Sequence, residues 1–153
     1  MTLNIDWENL GFEYMNLPYR FIARFKDGQW DAGSLTEDAT LHLSESSPAL
    51  HYGQQAFEGL KAYRGKDGKV RVFRMDENAA RLQSTCRGIL MPEVPTELFE
   101  EMVKKVVRLN QEFIPTYESG ATLYVRPLLI GTSAQVGVHP STEYLFTILL
   151  TKN

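Results

Sequence analysis

Apolar and polar residues follow two different periods along this chain, and the clearest change of period falls near Arg74. From Glu58 to Arg74 the segments EGLKAYRG and KVRVFR alternate residue by residue, as strands do. Lys66-Asp67-Gly68 between them offers the positive φ of a tight turn, so a β-hairpin is predicted there. On its outgoing strand Val70, Val72 and Arg74 share one face while Arg71 and Phe73 share the other, so both faces are expected to be in use. Beyond the hairpin Ala79, Ala80, Leu82, Cys86 and Leu90 recur at helical spacing, with Asp76 as the expected N-cap and Arg81 about one turn in. That position puts Arg81 where free backbone N–H groups already favour anions.

A second helix is predicted from a cap at Thr96. Leu98, Phe99, Met102, Val106, Leu109 and Phe113 line one face, Glu100, Glu101, Lys104, Lys105 and Arg108 lie mainly outside, and Pro115 ends it. Residues 1–17 show no clear period and read as irregular. Tyr19 to Phe25 is strand-like, Lys26-Asp27-Gly28 offers a turn into Gln29 to Leu35, and Leu41 to Leu43 reads as a short strand. Ala49 to Gln55 fits a strand end or a short helical turn equally, with Gly53 as the bend. Thr122 to Ile130 is a strand in which Pro127, lacking a donor, implies an edge position or a bulge. Gly131 to Val138 reads as a loop and Tyr144 to Thr151 as a buried strand. The sum is an α+β fold, an antiparallel sheet with two helices packed on one side.

With 153 residues, 43% of them hydrophobic, the chain has material for one core and one domain. Sixteen basic residues against 19 acidic ones give a net charge of -3. That balance supplies no overall attraction to nucleic acid or to an anionic membrane, though it leaves room for local basic patches. The lone Cys86 allows no internal disulfide and fits core packing in a reducing, cytoplasmic setting. The N-terminus lacks the layout of a secretory signal, and no apolar run is long enough to span a bilayer, so a soluble protein is expected. His42, His51 and His139 lack metal-cluster spacing, and no nucleophile elbow or phosphate-binding glycine loop is present.

Three separated motifs carry more specific information: HYGQQAFEGLKAYRG, then VFRMDENAARL, then LYVRPLLIG. In this order they closely resemble the pattern of the branched-chain amino-acid aminotransferases, fold-type-IV enzymes that use pyridoxal 5'-phosphate. The likeness runs from about Ile5 onward. It implies the N-terminal small domain of such an enzyme, residues 1–153, with the cofactor-anchoring domain lying beyond it. The full enzyme would move an amino group between L-leucine, isoleucine or valine and 2-oxoglutarate.

The resemblance also assigns roles. Arg81 matches the arginine that binds the cofactor phosphate; the plain alternative is a solvated helix arginine. Phe57 and Tyr124 match walls of the substrate pocket, and Arg126 matches the arginine associated with the distal carboxylate of glutamate. Tyr52 and the loop carrying Val136 and Val138 match residues that reach the neighbouring subunit's pocket, which implies a homodimer. Core packing is the alternative for the three aromatics, and a structural ion pair for Arg126. Lys26, Lys61, Lys66, Lys69, Lys104, Lys105 and Lys152 all fall outside the motif that would anchor the cofactor covalently, so this chain alone is expected to be inactive and to leave apolar surface exposed. A D-amino-acid aminotransferase, an aminodeoxychorismate lyase and a free-standing non-catalytic module are the competing readings.

Overall fold

In the computed structural model, which describes residues 6, 11 and 13–152, the first regular element is strand β1 (Arg20–Lys26). The expectation of irregular structure over residues 1–5, 7–10 and 12 lies outside the described residues. Strand β1 turns through Asp27 and Gly28, at φ 52° and 80°, into β2 (Gln29–Trp30). Two successive positive φ values are what a two-residue hairpin loop needs, and an Asp-Gly pair tolerates them. Strand β3 (Ser34–Thr36) pairs with the other end of β1. The Leu41 to Leu43 stretch forms no strand, because no neighbouring edge pairs with it.

Pro48 then opens a short helix, α1 (Pro48–Tyr52), closed by Gly53 in the left-handed conformation, so the open choice at Ala49 to Gln55 resolves as a helical turn. Three strands follow: β4 (Gln55–Phe57), β5 (Leu60–Arg64) and β6 (Val70–Val72). β5 and β6 form the expected hairpin, with Gly68 at φ 78°.

Helix α2 (Met75–Gly88) is capped by Arg74, itself left-handed at φ 47°, and not by Asp76. Met75 packs against the core, which starts the helix early and leaves Asp76 inside the first turn, where its charge still complements the free N–H groups. Arg81 therefore stands in the second turn, and the free N–H groups of the helix start do not lie beside it. Leu82, Ala79 and Cys86 are buried, whereas Ala80 and Leu90 are exposed, Leu90 being past the helix end with φ 58°. Burial pushes the Cys86 thiol up to about 11, so it packs as a neutral side chain.

Helix α3 (Thr96–Leu109) takes Pro95 as its N-cap, so Thr96 is its first residue and does not cap it. Phe99, Met102, Val103, Val106 and Val107 are its buried face, at the spacing of one helical stripe. Leu109 is exposed, and Phe113 is buried from a separate short turn, Gln111–Phe113.

Strands β7 (Leu123–Gly131) and β8 (Tyr144–Lys152) complete an antiparallel sheet ordered β2-β1-β8-β7-β5-β6. Both longer helices supply side chains to one core on one face of this sheet, as expected. β7 is central, which corrects the edge position read from Pro127. β8 runs along one side of it, while β5 pairs at residues 123–125 and β4 at 128–130 on the other. Pro127 sits in the gap between those two ladders, where its carbonyl accepts the Glu58 N–H at 2.9 Å. Its missing donor points to the same side, so the ladder opens there as expected, but Phe57↔Leu128 and Leu60↔Val125 keep one register with no extra residue, so this is a gap in the ladder and not a bulge.

The Phe146 ring, fully buried on β8, stacks on Phe99 of α3 at 6.1 Å and meets Trp30 at 6.3 Å. Phe146→Ala is expected to cost about 3–5 kcal/mol, read as a lower urea midpoint at unchanged slope. A loss below about 1 kcal/mol would show that the helical layer does not bear on the sheet through this ring.

Candidate functional site

The break in pairing beside Pro127 is where the predicted site residues converge. Glu58 and Gly59 bridge β4 and β5 there, and the Glu58 side chain turns inward to 3% exposure. A buried carboxylate is costly unless its oxygens are satisfied. Arg81 satisfies both, donating from Nε to Oε1 at 2.9 Å and from Nη2 to Oε2 at 2.6 Å. Asn78, one turn earlier on α2, donates from Nδ2 to Oε2 at 3.1 Å and to the Gly59 carbonyl at 3.2 Å.

This two-pronged pairing fixes the guanidinium plane, and its hydrogen bonds to Glu58 hold Arg81 above its ordinary pKa. A guanidinium has five N–H donors. Two are taken by Glu58, which leaves three without a partner among the described residues, on a side chain that is 68% exposed. Those donors fit a phosphate, which needs several N–H groups around its oxygens, so the residues present suit an anionic group at Arg81. Arg81 lines a shallow depression of about 370 Å³ with Phe73, Arg74, Glu77 and Asn78.

Tyr124, Arg126 and Phe57 sit on the sheet face away from the helices, where β7 alternates its buried and half-buried residues. Arg126 lies over the Phe57 ring at 4.5 Å and the Tyr124 ring at 5.2 Å, and its Nη2 donates to the Tyr124 hydroxyl at 3.1 Å. Each ring contact contributes on the order of 0.5–1 kcal/mol at such a site. The Arg126 Nε is buried with no hydrogen-bond partner among the described residues. Phe57 itself is 60% exposed.

Gly59 connects the two groups. A Cβ there would lie 2.4 Å from the Tyr124 hydroxyl oxygen, so only glycine lets that ring approach the gap. Arg81, Glu58, Gly59, Tyr124, Arg126 and Phe57 thus form one continuous chain of contacts, although Tyr124 and Arg126 do not wall the depression at Arg81.

Tyr52, Val136 and Val138 form a separate group. The Tyr52 hydroxyl donates to the Val136 carbonyl, which ties the 136–138 loop to α1. Both valines stay highly exposed, and Tyr52 and Val138 border a hollow of about 340 Å³ with Pro48, Ile89 and His139.

Glu58, Gly59 and Asn78 stand outside the residues singled out by pattern and resemblance. A lone acid followed by glycine inside an alternating strand was the available signal for an interrupted ladder and a close approach. Asn78 has a weaker one, its place three residues before Arg81 on the same helix. Among the described residues no group of His, Cys, Asp and Glu is placed to hold a metal ion, and no helix is long and apolar enough to cross a membrane.

Comparison with known proteins bears directly on this arrangement. A branched-chain-amino-acid aminotransferase of Haemophilus influenzae is 56% identical over 95% of the chain, and one of Helicobacter pylori is 51% identical over 95%. The chain matches part of the branched-chain aminotransferases. It spans 42% and 43% of the length of those two relatives. No family model matches it. Among solved structures, the branched-chain aminotransferase of Escherichia coli superposes with a TM-score of 0.64 at 26% identity, covering 86% of this chain and 40% of that one. The T.th. branched-chain aminotransferase, solved with N-(5'-phosphopyridoxyl)-L-glutamate, gives 0.63 at 26% identity, covering 84% and 39%. The α+β architecture is that of the matching part of these aminotransferases.

The close approach at Gly59 makes a direct test. Gly59→Ala is expected to push the Tyr124 ring away from Arg126 and to cost about 1–3 kcal/mol, seen in a crystal structure of the variant and in its thermal midpoint. An unmoved Tyr124 with unchanged stability would show that the gap has slack.

Proposed function

We propose that this chain is the small domain of a pyridoxal-phosphate-dependent branched-chain aminotransferase and works with further polypeptide that anchors the cofactor covalently. The observation that carries this reading is the Glu58-held Arg81 guanidinium with three outward N–H donors, in a chain 56% identical to a named branched-chain aminotransferase. When bound, the cofactor supplies the electron sink for amino transfer. The chain's own residues bind and orient.

In this reading Arg81 grips the phosphate, and Glu58 keeps the guanidinium from rotating away. Leucine, isoleucine or valine and 2-oxoglutarate share one pocket, with Phe57 and Tyr124 as walls. Arg126, stacked between those two rings, meets the second carboxylate of glutamate or 2-oxoglutarate and folds back onto the aromatics when an aliphatic side chain enters. The T.th. relative's complex with a phosphopyridoxyl glutamate supports both the cofactor and the dicarboxylate. Tyr52, Val136 and Val138 form the edge that a second copy uses to complete its own pocket, in a homodimer of the cytoplasm.

In the complete protein, Arg81→Gln is expected to weaken pyridoxal 5'-phosphate binding by roughly 10–100-fold and leave pyridoxal, which has no phosphate, unchanged. Equal losses for both aldehydes would overturn the role of Arg81. Arg126→Leu is expected to slow the 2-oxoglutarate half-reaction about tenfold or more while the leucine half-reaction keeps its rate, followed by the cofactor's absorbance under single turnover. A parallel fall in both would remove Arg126 from carboxylate recognition.

A further inference from the structure

Four cations converge on a groove whose lining includes neither Arg81 nor Arg126. Between the β5–β6 hairpin and α3 lies a depression of about 580 Å³, lined by Arg64, Lys69, Lys104 and Arg108, by Val70, Val72, Met75 and Val107, and by Gly68 and Gln111. None of these lining residues is acidic. Its size falls within the range of small-molecule sites.

Arg64 sets the width of the groove. It donates from Nη1 to the Gly68 carbonyl at 3.0 Å and from Nη2 to the Gln111 carbonyl at 2.9 Å, tying the hairpin turn to the segment after α3. Both partners are neutral, so its charge is not cancelled. Lys69, Lys104 and Arg108 are exposed and pair with no carboxylate among the described residues. Nearby acids are engaged or outside: Asp67 is held by Arg71 at 2.7 Å, and Glu112 does not line the groove.

Helix polarity accounts for Arg108, which lies in the last turn of α3, but not for Lys69 on the hairpin or Lys104 in mid-helix. In a chain of net charge -3, four uncompensated cations around an apolar floor attract an anion. Val107 is 5% exposed, and Val70, Val72 and Met75 are half-buried against the core, so the floor rewards a hydrocarbon body as well.

We propose that this groove is a binding site for a small organic anion with an apolar body, a phosphomonoester or carboxylate head meeting Lys69, Lys104 and Arg108 above the valine floor. It shares no residue with the cofactor and substrate assignments, so it stands or falls separately from them.

Amide chemical shifts of the complete protein, titrated with hexyl phosphate, inorganic phosphate and hexanol, test it. Hexyl phosphate is expected to give saturable shifts centred on Val70, Val72, Met75, Val107 and Gln111, weakening as salt is raised. Inorganic phosphate is expected to bind the same place at least about fivefold more weakly, and hexanol not to saturate. The double variant Lys104→Gln/Arg108→Gln, both positions being exposed, is expected to fold normally and lose about tenfold in affinity for hexyl phosphate. The proposal is overturned by the absence of saturable shifts in the groove, by hexanol matching hexyl phosphate, by phosphate alone doing so, or by full affinity in the double variant.

Discussion

One buried carboxylate organises the functional edge of this molecule. Glu58 enters the sheet where β4 stops pairing and β5 has not begun, and its two oxygens are met by Arg81 and Asn78, both from α2. The bond is lopsided: the acid is buried while the guanidinium is mostly exposed. Solvent screening on the arginine side limits what the pair adds to stability. Its larger effect is geometric, because a carboxylate that cannot move dictates the plane of an arginine that otherwise samples many rotamers.

The same gap depends on Pro127 and Gly59. Pro127 offers no N–H to the gap between the two ladders, so the break leaves no orphaned donor on β7 at that point. Gly59 leaves room for the Tyr124 hydroxyl. A donor-bearing residue at 127 or a methyl group at 59 would favour either a continuous ladder or a displaced ring. The chain therefore interrupts its central strand pairing at one place and builds its site from that interruption.

Local features were legible in sequence to the extent that neighbouring residues decide them. The Asp-Gly turns, the hairpin ending near Arg74 and the apolar stripe of α3 follow from short-range pattern, and all three appear in the fold. Pattern failed where a distant contact wins. Asp76 lost its cap to Arg74 because Met75 is drawn to the core, and Pro127 proved central because the gap opposite it is made by residues about 70 positions earlier. Arg81, Tyr124 and Arg126 were singled out by family resemblance and not by pattern. Glu58 was not, since an acid in a strand pattern reads as solvent-facing until its partners, 20 and 23 residues on, are seen to close over it.

The two groups of site residues differ in how they are held, and the difference bears on what each is suited to do. Arg81 is fixed within the chain by its ion pair, and Tyr124 and Arg126 are held at rest by hydrogen bond and ring contact. A preorganised group of that kind loses little freedom when a charged ligand arrives. The loop carrying Val136 and Val138 is tied to α1 through the Val136 carbonyl, and both valine side chains are highly exposed. Apolar side chains so displayed gain nothing for this chain's own fold, and the water they order is released only when another surface covers them. The held group thus has the rigidity that the proposed ligand-binding role calls for, and the projecting group has the exposed apolar surface that the proposed contact with a second copy calls for.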